Sequence, residues 1–416
     1  MFKAVRGTKD ILPPDTSAWQ EVESISRRIF TLYGYQEIRT PIIEDSGLFN
    51  RSLGSSTEII QKQMFTIQRD SDLFALRPEA TACVARAYIE NDLDKKEGFA
   101  KFYYIGPMFR AERPQKGRLR QFHHLGVEAI GSLSPYLDIE VIGLANRILN
   151  ELGIKDFNIN INSLGCTEDK KNLAVSLRFK LKDKLTKLCE DCQARFKNNV
   201  FRILDCKNEA CRHIVETLDL QNDYLCNDCK EHFLKVKSGL DALGINYKVL
   251  PHLVRGLDYY TRTVFEITHG DLGSQDALGA GGRYDNLISE LGGPMLGAMG
   301  FALGQERLML VKSASENVER SGLVYVVTLG ETAKQEAVVL VDALRKAFVY
   351  CETDYEDKSL KAQMRQANNL NAAFVLIIGD DELKKRVVVI KDMHTSIQEE
   401  IPQDKIIDVV KVKIKC

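Results

Sequence analysis

The residues best suited to chemistry lie between positions 109 and 131, in the stretch FRAERPQKGRLRQFHHLGVEAIG. From 110 to 120 five residues are basic (Arg110, Arg113, Lys116, Arg118, Arg120) and one, Glu112, is acidic. Guanidinium groups present planar, forked donors that match phosphate oxygens. Phe122 follows, then His124 and Glu128, which add an aromatic ring, an imidazole and a carboxylate. Such a set can hold a polyanion and a small polar group side by side. A charged hairpin tip is more often plain solvated surface, so partners elsewhere in the chain must decide. The candidates are Glu79 and Thr81 in LRPEAT, Arg255, Tyr259 and Tyr260 in LVRGLDYY, Tyr284 in GGRYD, and Arg307 in GFALGQERLMLV.

The elements that must position these residues are readable around them. The run KFYYIGPMF is aromatic and β-branched and predicts a strand. The return run, 122–130, alternates. Leu125, Val127 and Ala129 fall on one face; Phe122, His124, Gly126 and Glu128 fall on the other. The first face suits a core, the second a ligand pocket. Near the start, Asp15 or Thr16 follows Pro13-Pro14 as a helix cap, and Val22, Ile25, Ile29 and Tyr33 recur at helical spacing. Gly34 ends that helix, and 35–41 reads as a strand. Pro78 forces a break before an apolar helix at 82–89, where Glu79 is also a helix-start acid. A helix at 137–152 and a strand at 157–164 come next. Gly256 permits a sharp turn beside Arg255, leading into a strand at 261–267. Glycines at 279, 281, 282, 292, 293, 297, 300 and 304 mark close backbone approach in the following strands. No GxxxxGK[ST] occurs, which excludes a P-loop.

Residues 167–240 differ: they are Lys-rich, helical and cysteine-dense. Six of the ten cysteines lie between 189 and 229, including two CxxC pairs, Cys189/Cys192 and Cys226/Cys229, with Cys206 and Cys211 between them. Paired thiolates at this spacing are what a tetrahedral structural zinc needs. The set Cys189, Cys192, Cys226 and Cys229 is the first choice, Cys206 and Cys211 are alternative ligands, and six reduced thiols on buried helix faces are the plain alternative. From about 321 the pattern changes again. Strands at 324–329, 374–378 and 387–390 alternate with helices at 332–348 and 360–368, predicting a small, largely parallel α/β domain.

Composition sets the bounds. The chain has 416 residues, a net charge of −1, 44% hydrophobic and 28% charged residues, so a nucleic-acid partner must be met by local patches. No run of about 18 apolar residues exists, which predicts no membrane span. The first residues lack the apolar core of a signal peptide, and cysteines without such a signal point to a reducing, cytoplasmic location.

Taken in order, these strings resemble the histidyl-tRNA synthetases, a family of class II aminoacyl-tRNA synthetases. The helix and strand ending at Pro41 resemble motif 1, FRAERP…RQF…E resembles motif 2, and GFALGQERLMLV resembles motif 3. RGLDYY resembles the signature that sets the histidyl family apart from other class II synthetases. The resemblance covers nearly the whole chain. It implies an α+β catalytic domain over 1–320, with an antiparallel sheet flanked by helices, the helical insertion at 167–240 within it, and an α/β anticodon-binding domain over 321–416. It also implies a homodimer whose interface uses motif 1, with ATP, L-histidine and tRNA(His) as substrates and Mg²⁺ accompanying ATP.

By the same carry-over, Arg110 and Arg255 hold the α-phosphate and the histidine carboxylate. Glu112, Phe122 and Arg307 meet ATP; Glu79 and Thr81 meet the α-amino group. Glu128, Tyr259, Tyr260 and Tyr284 form the side-chain pocket, together with His124. His124 stands where the family usually has Gln, so a pH-sensitive pocket is expected near imidazole titration. Two non-synthetase readings stay open at this stage: a regulatory subunit of histidine biosynthesis that binds histidine without catalysis, and a sensor of uncharged tRNA.

Overall fold

The structure is a computed structural model and describes residues 2–54, 57–218, 220, 224–312, 322–356 and 358–415. The chain divides into two compact units, 1–313 and 314–416. The boundary expected between 320 and 321 lies outside the described residues.

In chain order the first unit has strands β1 (Gln36–Glu37), β2 (Ile43–Asp45), β3 (Phe65–Arg69), β4 (Asp72–Leu76), β5 (Ala100–Phe109), β6 (Gln121–Ile130), β7 (Phe157–Ser163), β8 (Tyr247–Val249), β9 (Thr261–His269), β10 (Ala277–Arg283) and β11 (Ala298–Gly304). Eight of them form one sheet in the order β1-β5-β6-β11-β10-β9-β7-β8. The six central strands are antiparallel, and the short edge strands β1 and β8 pair parallel to their neighbours. The strand expected at 35–41 is thus only the two-residue β1, an edge segment with a single partner, β5. β2, β4 and β3 make a separate small sheet.

The alternation along β6 divides the molecule into a core side and a site side. Leu125, Val127 and Ala129 are fully buried, opposite Ile105, Tyr103 and Lys101 of β5 and Leu303, Phe301 and Met299 of β11. They join one apolar cluster with Val22, Ile29 and Phe30 of helix Asp15–Leu32 and with helix Pro135–Glu151. On the other face the register sets small residues beside large ones. Glu128 lies opposite Gly300, Gly126 opposite Tyr104 and Ala302, and His124 opposite Gly106 and Gly304. The missing side chains leave room on the sheet for Glu128 and Tyr104.

The insertion contains helices Thr167–Leu181, Glu190–Asn198, Glu209–Glu216 and Asn227–Ala242, with 3-10 turns between. It has its own small core of Leu173, Leu177, Leu181, Val200, Ile203 and neighbours. Its last helix packs against helix Pro135–Glu151, where His232 Nε2 lies 2.8 Å from Asp138 Oδ2.

The second unit is built on β12 (Val324–Leu329), β13 (Cys351–Thr353), β14 (Phe374–Gly379), β15 (Val387–Asp392) and β16 (Gln398–Pro402), ordered β13-β12-β14-β15-β16. It is mixed rather than largely parallel. β12 pairs parallel with β13 and β14, whereas β14-β15-β16 are antiparallel. The short turn from β15 to β16 permits only an antiparallel neighbour. Among the described residues no helix is long and apolar enough to cross a membrane.

Candidate active site

One pocket opens on the site face of the sheet, and all twelve residues expected there line it: Glu79, Thr81, Arg110, Glu112, Phe122, His124, Glu128, Arg255, Tyr259, Tyr260, Tyr284 and Arg307. The β5–β6 hairpin supplies Arg110 and the deepest acid, Glu128, and a distant segment supplies Arg255.

Glu128 forms the bottom. It is 1% exposed and accepts hydrogen bonds from Thr81 Oγ1 (2.7 Å), Tyr104 OH (3.2 Å) and Tyr284 OH (2.5 Å). Burial pushes its carboxyl up to about 8, although the hydroxyl donors pull the other way. The surrounding glycines are needed for space. A Cβ at Gly300 would lie 2.0 Å from Glu128 Oε2, and one at Gly126 would lie 2.4 Å from the Tyr104 ring. The Tyr259 ring lies tilted 4.6 Å from Tyr260 and edge-on 5.7 Å from Tyr284 (ring centroids), so this end of the pocket is aromatic around one carboxyl group.

Glu79 is held as its local sequence dictates. Pro78 ends the extended run, and the Glu79 carboxylate accepts from the backbone N–H groups of Thr81 (2.7 Å) and Ala82 (2.9 Å), satisfying the start of helix Thr81–Glu90. Burial raises its pKa while those N–H groups oppose the rise. The loop is anchored by Arg77, which donates to the carbonyls of Pro107 (3.0 Å) and Thr40 (2.9 Å).

Arg110 Nε donates to Pro78 O at 2.9 Å, and its guanidinium lies 5.2 Å from the Phe122 ring centroid. One face of Phe122 is therefore already covered by a cation. Burial lowers Arg110, while the nearby Glu112 and Glu79 counter the fall. Arg255 Nη1 donates to Glu266 Oε1 at 2.7 Å, and its buried Nε has no partner among the described residues. Burial opposes its charge, but Glu266 outweighs that and raises its pKa. Arg307, in helix Gln305–Val311, donates to the carbonyls of Gly117 (3.0 Å) and Ala277 (2.5 Å). Arg118 pairs with Glu112, so the hairpin loop folds its own acid against its own base.

The rings of His124 and Phe122 meet edge-on at 5.0 Å, and His124 Nδ1 is buried without a partner among the described residues. Burial, followed by the charges of Arg110, Arg307 and Arg77, pulls its pKa well below the ordinary value. This corrects the expected titration: the imidazole is neutral across physiological pH, because a cation cannot be afforded in that company.

Comparison with known proteins agrees with this geometry. The histidyl-tRNA synthetase family profile matches residues 7–308, and an anticodon-binding domain profile matches 323–413. The chain belongs to the histidyl-tRNA synthetase family. It is 47% identical over 403 residues to a histidine–tRNA ligase of Halothermothrix orenii, covering 96% of each chain, and 44% identical to one of Geobacter sulfurreducens, covering 97% of each. The crystal structure of apo histidyl-tRNA synthetase from S. aureus superposes with a TM-score of 0.83 at 36% identity, covering 99% of this chain and 100% of that one.

The cysteines follow a different arrangement from the one expected. Cys189/Cys192 and Cys226/Cys229 do not form one ligand set. Cys189 and Cys192 gather with Cys206 and Cys211, and Cys226 and Cys229 gather with Cys166 and Asp169; within each group the ligand atoms lie within 4.8 Å of one another. The reason is packing. Cys192, Cys206 and Cys211 are buried in the insertion's own core, whereas Cys226 and Cys229 open the helix that packs on the catalytic unit. The nine described cysteines are all free thiols.

Several supporting residues escaped sequence reading. Tyr104 reaches Glu128 only because Gly126 lies opposite it. Glu266 orients Arg255 from β9. Arg283 is fully buried and is held by Asp138 (2.9 Å through Nε), by Asp285 (3.0 Å) and by the carbonyls of Ser132 and Ser134, just ahead of Tyr284. An Arg between two glycines and a tyrosine was the available signal for it.

Proposed function

We propose that this chain is a histidine–tRNA ligase that activates L-histidine with ATP and passes the histidyl group to the 3′-terminal ribose of tRNA(His). The observation that carries the reading is the convergence of Arg110, Arg255 and Glu128 on one pocket. A histidine carboxylate oxygen attacks the α-phosphorus of ATP, the bond to the β-bridging oxygen breaks, and pyrophosphate leaves. Negative charge builds around phosphorus, so fixed cations are the natural catalysts. Arg110 and Arg255 hold the α-phosphate and the carboxylate; the unpartnered Nε of Arg255 is one available donor. Arg307 meets the ATP tail, and Phe122 meets adenine. The ribose hydroxyl then attacks the histidyl carbonyl carbon, losing its proton as AMP departs.

Specificity rests on Glu128. A histidine ring offers N–H to this carboxyl, and a site built to hydrogen-bond a substrate N–H rejects analogues that lack it by about 10⁴–10⁵ without editing. Thr81, Tyr259, Tyr260 and Tyr284 shape the pocket around that contact. His124 adds one ring acceptor in its neutral form. Glu79 and Thr81 take the α-amino group.

Two metals fit this chain. Mg²⁺ needs one or two carboxylates besides the substrate phosphates, and the buried Glu112 at the arginine-lined mouth supplies one. When bound, Mg²⁺ neutralises triphosphate charge. Zinc fits Cys189, Cys192, Cys206 and Cys211: thiolates about 2.3 Å from one tetrahedral ion stand about 3.8 Å apart, and Cys189 Sγ lies 3.9 Å from Cys206 Sγ. With four thiolates the site is closed and structural.

The second unit takes the anticodon arm. The protein is cytoplasmic and works as a homodimer; Ile42, Ile43, Ile67 and Leu73, all exposed near the small sheet, are apolar surface for a second copy. The regulatory reading is set aside, because full-length relatives at 44–47% identity are ligases. Histidine-dependent ATP–pyrophosphate exchange tests the proposal. We expect exchange in the wild type and a loss of orders of magnitude in Arg255→Ala with the fold retained; an unchanged rate removes Arg255 from catalysis.

A further inference from the structure

We propose that the root of the insertion is closed by a second zinc ion, held by Cys166, Asp169, Cys226 and Cys229. This site is separate from the four-cysteine group inside the insertion, and it does not depend on the ligase reading.

The four ligand atoms lie within 4.8 Å of one another. They come from the two ends of the insertion. Cys166 follows β7 as the chain leaves the catalytic sheet; Cys226 and Cys229 open the helix that returns to it. Cys166 is the N-cap of helix Thr167–Leu181, and Cys226 is the N-cap of helix Asn227–Ala242. Two helix N-termini thus point partial positive charge at the same place, which suits a cluster of anionic ligand groups. Asp169 already clasps both ends: it accepts from the backbone N–H of Cys166 at 3.2 Å and of Cys226 at 2.9 Å. A carboxylate has about four lone-pair sites, so these bonds leave capacity for a metal. The loop is built for the approach: Gly165 has φ +71°, and a Cβ there would stand 2.3 Å from the Asp169 Cβ.

The donor set selects the ion. Three thiolates and one carboxylate at this spacing suit a single tetrahedral zinc. An iron–sulfur cluster needs room between its cysteines for several irons and inorganic sulfide, which this grouping lacks. Four protein ligands leave no open position, so the role is mechanical. The same helix turn carries Lys170, whose Nζ donates to the carbonyls of Asp258 (2.8 Å) and Tyr260 (2.9 Å). Fixing that turn fixes the segment that presents Tyr259 and Tyr260 to the pocket.

Cys226 supplies the test, because it is exposed and alkylates readily unless a metal holds it. The zinc-loaded full chain is treated with iodoacetamide, modified cysteines are mapped by peptide mass spectrometry, and zinc is counted, all with and without chelator. We expect about two zinc ions per chain, with Cys226 protected until chelation and then reacting roughly tenfold faster or more. In Cys211→Ser, which breaks only the other site, we expect one ion fewer and Cys226 still protected. Cys226 alkylating equally fast in zinc-loaded and chelated protein overturns the site, whatever the total count. So does a zinc count that Cys229→Ser leaves unchanged.

Discussion

Glu128 carries a conflict between binding and stability that can be measured. Its carboxyl is raised from 4.5 to about 8 by burial. The folded state therefore holds a proton that the unfolded chain releases, and stability from this group is lost as pH climbs from about 4.5 to about 8. The loss is on the order of 4 kcal/mol by pH 8. Glu128→Gln removes the titration, so thermal melts of the variant should stay above wild type by a growing margin across that window, while histidine-dependent exchange collapses. Binding shows the same proton. The neutral histidine ring donates to the ionised carboxylate, so wild-type histidine affinity should rise with pH up to about 8 and then level. Calorimetry in buffers of different ionisation enthalpy should detect proton release in wild type and none in Glu128→Gln. His124→Gln should keep the wild-type slope, since His124 is already neutral there. Gly300→Ala probes the space itself: with Glu128 Oε2 2.0 Å away, the added methyl should weaken histidine binding by about 1–3 kcal/mol, read as a raised KM with ATP affinity unchanged.

At the scale of elements, the β5–β6 hairpin is a two-faced device. One face of β6 is core and the other is site, and a slip of one residue would exchange them. That alternation was legible because Leu125, Val127 and Ala129 against Phe122, His124, Gly126 and Glu128 is a local pattern. The partners across the strands were not legible. Tyr104 opposite Gly126 depends on register, which neither strand records by itself. The cysteine groups are similar: CxxC spacing marks a pair, but Cys189/Cys192 finds Cys206 and Cys211, not Cys226 and Cys229, because the helices between them decide. The insertion's own core is small, and small cores usually need a staple. Hydrogen exchange should therefore show amides in 190–216 losing protection on chelation, while β5 and β6 keep theirs. Equal protection with and without chelator would count against a structural zinc in the insertion.

At the scale of the molecule, the two units have separate cores. Val324, Val326, Leu344, Leu376 and Ile390 pack within the second unit, and none of the first unit's clusters includes them. Each unit can then be removed without opening the other's core. A chain ending near residue 313 should keep histidine-dependent ATP–pyrophosphate exchange and lose most charging of tRNA(His), measured by aminoacylation. Light scattering on the full chain should return twice the 47.0 kDa chain mass.

The amino-acid order alone singled out the residues that line the pocket, since arginines, acids and tyrosines in RGLDYY and the hairpin are covalently spaced and their types limit what they can bind. It also determined the long helices and strands, whose periods of 3.6 and 2 are written in consecutive residues. Only the tertiary structure decided that three distant arginine- and acid-bearing segments share one hollow, that Glu128 is driven toward neutrality and His124 kept from charging, and which cysteines meet. Those properties arise from burial and from contacts between residues far apart in the chain. They belong to a closed, low-dielectric arrangement that no local stretch possesses.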